Sequence, residues 1–76
     1  MKTNKRLLCY AKILKEKLTE TGCMFIIQKS SEFGVIQEYH RNNVDSKIIE
    51  HVVNSIRCLH RMEIGKDMIK LYLFQE

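Results

Sequence analysis

The sequence predicts an α+β domain with the element order α-β-β-α-β. Three observations carry that reading: an apolar stripe at helical spacing in the first 21 residues, a second such stripe after residue 43, and runs of period two between and after them. Among these runs, Cys23, Met24, Phe25, Ile26 and Ile27 follow one another without a polar side chain. Such a run suits a strand apolar on both faces and predicts a place in the middle of a small sheet.

The first element reads as a helix from Thr3 or Asn4, either of which can cap it, to Thr21, with Gly22 as its stop. Leu7, Ala11, Leu14 and Leu18 form its apolar stripe, widened by Leu8 and Tyr10. Lys2, Lys5, Arg6, Lys12 and Lys17 lie opposite, and Cys9 and Ile13 interrupt that basic side one turn apart. Either the pair is a small partner-binding spot, or the helix is gripped on more than one side. Residues 29–34 then read as a hairpin turn, two serines and a glycine bounding two β-rich runs. In the second strand, residues 35–39, Val35, Gln37 and Tyr39 point one way and Ile36 and Glu38 the other. Polar residues on both sides predict an edge strand.

After the polar loop of residues 40–43, a second helix opens at Asn43 or Asp45 and runs to about Glu63, with Gly65 as its stop. Ile48, Ile49, Val52, Ile56 and Leu59 make its stripe, flanked by Val44, Val53 and Met62. These β-branched residues are poor helix formers, so the period and the caps decide for helix. Residues 67–74 alternate Ile69, Leu71 and Leu73 against Met68, Lys70, Tyr72 and Phe74, and the aliphatic trio is expected to face the helices. A β-α-β crossover makes the second and third strands parallel, with the first between them. The predicted sheet is therefore three-stranded, in order 2-1-3 with antiparallel neighbours, and two helices cover one face. Its core is expected to hold Leu14, Leu18, Phe25 or Ile27, Ile36, Ile49, Val52, Ile56 and Leu71. The element order resembles a ferredoxin-like fold lacking its first strand, a likeness without a motif behind it.

Composition bounds the rest. With 76 residues, 29% charged and 45% hydrophobic, the chain reads as one globular domain. Its longest apolar run is far below the ~20 residues that cross a bilayer, so no membrane span is predicted. The basic N-terminus meets Lys12 before a signal-peptide core can form, which places the chain in the cytosol. Cys9, Cys23 and Cys58 contain no CxxC pair and read as reduced thiols. The whole net charge of +4 sits on residues 1–20, so the first helix is the expected contact for an acidic partner.

No phosphate-loop, zinc or nucleophile motif is present, and neither an enzyme, a cofactor nor a metal is expected. His51 and Cys58 share a helix edge in this reading but stand about 10 Å apart along the axis, too far to hold one metal alone. Because two helices cover one face only, Lys70, Tyr72 and Phe74 are left on the other, beside either Met24 and Ile26 or Phe25 and Ile27. Two functional readings follow. The first is a small regulator, an inhibitor or adaptor with the profile of phage and plasmid accessory proteins. It would bind a protein partner through Lys70, Tyr72 and Phe74, or through Cys9 and Ile13, and form a homodimer. The second is a nucleic-acid-binding module using Lys5, Arg6, Lys12, Lys17, Arg57 and Arg61 together with the open sheet. The first is favoured, since the chain has neither an RNP1-type aromatic motif nor a GxxG loop.

Overall fold

In a computed structural model that describes residues 5–23, 25–31 and 34–74, the chain forms α1 (Lys5–Glu20), β1 (Phe25–Ser30), β2 (Gly34–His40), α2 (Ser46–Ser55), β3 (His60–Ile64) and β4 (Met68–Phe74). The four strands make one antiparallel sheet in the order β1-β2-β4-β3. α1 lies across β2 and β4 with α2 beside it. The Thr3 or Asn4 cap, Met24, and the turn residues Glu32 and Phe33 fall outside the described residues, as do the side chains of Phe25 and Ile26.

α1 follows its sequence pattern except at Leu8, which widens the predicted stripe but is exposed. Leu7, Ala11, Leu14 and Leu18 are buried, and each buried leucine contributes roughly 1.5–3 kcal/mol. Its end is closed by Gly22 in the left-handed region (φ 87°). The Gly22 N–H donates to the Thr19 carbonyl and the Cys23 N–H to the Leu18 carbonyl, both at 3.0 Å. Cys23 and Leu18 are buried together at this cap.

That cap moves the start of β1 and, with it, the place predicted for the strand. The apolar run of residues 23–27 serves two elements: Cys23 finishes α1, and the strand begins only at Phe25. What remains of β1 is half polar, its Ile27 is 38% exposed, and the strand lies at the sheet edge instead of the centre. β2 takes the central place predicted for β1. Its inward polar residue, Gln37, is fully buried and fully used: its amide N–H groups donate to the Ala11 carbonyl at 3.1 Å and to Gln28 Oε1 at 2.9 Å, and its oxygen accepts from the Tyr39 hydroxyl. A polar side chain satisfied in this way no longer argues for an edge.

Residues 56–64 depart from the predicted helix. α2 opens as predicted at Asp45, whose carboxylate accepts from the Lys47 N–H at 2.9 Å, but it ends at Ser55. Arg57 turns the chain by adopting a left-handed conformation (φ 55°), and residues 60–64 become a strand paired with β4. Gly65 is therefore the first residue of the β3–β4 turn and not a helix stop; its N–H donates to the Met68 carbonyl at 2.8 Å. The turn is clasped by Arg41, whose backbone N–H donates to the Asp67 carbonyl at 3.0 Å and whose guanidinium donates to the Gly65 carbonyl at 3.1 Å. β2 and the strand after α2 are parallel, as a crossover requires, but β4 fills the place between them. The predicted order 2-1-3, the three-stranded sheet and the likeness to a ferredoxin-like element order are all replaced by four strands in order 1-2-4-3.

The alternation of β4 holds: Ile69, Leu71 and Leu73 are buried against the helices. Leu14, Leu18, Ile49, Val52 and Leu71 are buried as expected, and Ile56 is partly buried. Ile27 and Ile36 are not core: they share the other face of the sheet, while Val35, Gln37 and Tyr39 line the interior.

Gln37→Leu removes the acceptor of the buried Tyr39 hydroxyl and the donor to Ala11, and should cost about 1–3 kcal/mol in urea unfolding. Adding Tyr39→Phe should recover part of that loss. A Gln37→Leu protein as stable as the wild type would show that the network does not hold the layers together.

Candidate docking face

Period two leaves the face opposite α1 to the alternate residues of each strand. Cross-strand pairing arranges them in rows. One row runs Lys29, Ile36, Tyr72, Arg61; the next runs Ile27, Glu38, Lys70, Glu63; Phe74 stands beside Gly34 below the first. Ile36, Tyr72 and Phe74 form an apolar centre, and three basic and two acidic side chains surround it.

The centre is organised by aromatic contacts. The Tyr72 and Phe74 rings stack with centroids 6.3 Å apart and planes 7° from parallel. The Arg61 guanidinium lies over Tyr72, 5.5 Å from its centroid, in cation–π range. Gly34 opens a shallow depression of about 80 Å³ among Ile36, Tyr72 and Phe74. Glycine is required there because a Cβ would collide with the Leu73 carbonyl oxygen.

Glu63 completes the arrangement. It accepts a hydrogen bond from the Tyr72 hydroxyl, which with the nearby Arg61 and Lys70 charges holds its carboxyl below the ordinary carboxylate range. Arg61 reaches the same carboxylate at 3.2 Å. The bond to Glu63 raises the Tyr72 phenol in turn. Since the folded Glu63 pKa is depressed, this contact is at full strength above the ordinary carboxylate pKa and is lost as pH falls through the lowered value.

The residues singled out from sequence divide between two surfaces. Lys70, Tyr72 and Phe74 share the open face, and Arg61 joins them from β3. Cys9 and Ile13 are exposed on α1, as are Lys5, Arg6, Lys12 and Lys17. α1 covers the opposite side of the sheet, so the basic helix and the aromatic face cannot act as one site. Arg57 and Arg61 are not one helical turn apart: a left-handed residue and a strand separate them. Cys58 is buried beyond the end of α2 while His51 is exposed on it. Among the described residues no three His, Cys, Asp or Glu side chains are grouped to hold a metal, and no helix is long and apolar enough to cross a membrane.

Sequence reasoning missed Lys29, Ile36, Glu38 and Glu63 as members of the face. The alternation of Arg61 and Glu63 against His60, Met62 and Ile64 was the available signal, and a helical period overrode it. No protein-family model matches the chain, and no curated protein matches it either.

Tyr72→Phe keeps the ring and removes the hydroxyl. The Glu63 midpoint, followed by NMR of its carboxyl carbon, should rise toward the ordinary carboxylate value; an unchanged midpoint would mean that Arg61 and Lys70 alone set it.

Proposed function

We propose that the chain is a small non-catalytic regulatory protein, an inhibitor or adaptor, that lays the open face of its sheet on a protein partner. A second copy is the simplest occupant, since a twofold dimer needs no other gene product. The observation that carries this reading is the half-buried apolar centre of Ile36, Tyr72 and Phe74, which no described helix covers, ringed by charges of both signs. Protein interfaces have this anatomy, an apolar core enriched in Tyr, Phe and Arg inside a polar rim. One standard contact of about 800 Å² per partner would cover a sizeable share of the 5391 Å² accessible surface. A nucleic acid is a poorer match, because a polyanion on the aromatic pair would meet Glu38 and Glu63, while the cations of α1 lie behind the sheet.

Light scattering at ~100 μM should give a mass above the 9.0 kDa of one chain, and Tyr72→Glu with Phe74→Glu should lower it while leaving the circular dichroism unchanged. A wild type of 9.0 kDa at that concentration rejects self-association. Retardation of single- or double-stranded nucleic acid at low salt, lost when Lys5, Arg6, Lys12 and Lys17 are changed to Gln, would replace the protein partner by a polyanion.

A further inference from the structure

Among the described residues β3 pairs with β4 alone, so its other edge is open. The two most exposed large hydrophobics among the described residues, Leu59 at 57% and Ile64 at 53%, stand at its two ends. Hydrogen bonding fixes what the edge offers. The Phe74 N–H donates to the Leu59 carbonyl and the Gly65 N–H to the Met68 carbonyl, so the odd-numbered residues of this segment bond to β4. By antiparallel alternation the N–H and C=O groups of His60, Met62 and Ile64 point outward. An unpaired row of this kind is a template for another strand.

We propose that two copies of the chain pair their β3 strands antiparallel across a twofold axis at Met62, forming one continuous eight-stranded sheet. Such an axis stands perpendicular to the sheet and keeps both open faces on one side, so odd residues must lie opposite odd ones. An axis at Arg61 sets two arginines against each other, and an axis at Glu63 sets two glutamates against each other; like charges directly opposite are destabilising. With the axis at Met62, Arg61 faces the partner's Glu63 and Glu63 faces the partner's Arg61. These are non-hydrogen-bonded pairs, where opposing side chains stand closer. His60 meets the partner's Ile64, Met62 meets the partner's Met62, and Ile64 meets the partner's His60, so all the outward backbone groups of the three residues are satisfied. Between β3 and α2 lies a hollow of about 300 Å³ lined by Ser46, Glu50, His60, Arg61, Met62 and Ile64, beside which the partner's Ile64 is set.

This contact is independent of face-to-face docking, whose twofold axis would run parallel to the sheets and midway between them, and both can hold at once. Pairing at β3 would place two apolar centres on one surface.

Exchange of charges in β3 tests the register. Arg61→Glu alone, or Glu63→Arg alone, puts four like charges at the seam and should weaken self-association at least about tenfold by sedimentation or light scattering. Mixing the two single variants should restore a dimer of one copy of each, and the double exchange, Arg61→Glu with Glu63→Arg, should restore the homodimer. A monomeric wild type, single variants that associate like the wild type, or a mixture that stays dissociated would each overturn the proposal. So would a dimer that ignores these charges and dissociates only with Tyr72→Glu and Phe74→Glu, an outcome that leaves face docking standing. A dimer sensitive to the β3 charges and indifferent to Tyr72→Glu with Phe74→Glu supports the proposal and removes face docking between copies.

Discussion

The buried amide of Gln37 sets the geometry on which the rest depends. From the middle of a central strand it reaches up to the Ala11 carbonyl of α1, sideways to Gln28 of β1, and along its own strand to the Tyr39 hydroxyl. Ala11 has no side chain beyond its Cβ and is itself fully buried, which lets the helix backbone come within reach. A polar group in this position tolerates one arrangement of the layers, because any shift leaves a buried donor or acceptor unmet. Sliding β2 by one residue would turn Gln37 to solvent and push Ile36 and Glu38 under α1. The composition of the open face is thus a corollary of burying Val35, Gln37 and Tyr39.

The parts of the fold legible in the sequence are those determined locally. The stripe of α1, its Gly22 cap, the Asp45 cap of α2 and the alternation of β4 each depend on residues within a turn or two of one another. What was not legible depended on pairing. Residues 56–64 place Ile56, Leu59 and Met62 at helical spacing and His60, Met62 and Ile64 at strand spacing, and only β4 as a neighbour selects the second. The break at Arg57 carries none of the Gly or Asn signal that usually marks a left-handed residue. The central position of β2 was hidden for a similar reason, since a glutamine reads as an edge residue until its three partners are known.

The candidate face shows the same division. Lys70, Tyr72 and Phe74 were found from period two within one strand, whereas Arg61, Glu63, Ile36 and Lys29 join them only through cross-strand register. Cys9, Ile13 and the lysines of α1 are exposed, but no pattern within the helix shows that the sheet separates them from the aromatic pair.

Burying Tyr39 beside Cys23 has a further consequence, felt in alkali. Both are weak acids whose ionised forms the interior disfavours: burial raises the Cys23 thiol, and burial followed by proximity to Cys23 raises the Tyr39 phenol far beyond its usual range. In the unfolded chain both groups would release their protons at ordinary values, about 8.5 and 10. As pH rises past those values the unfolded chain ionises ahead of the native state, so each further step in pH favours it until the native groups titrate too. The hydroxyl that anchors the Gln37 network therefore also gives the fold an alkaline limit, one set in the interior by two protons that must stay in place.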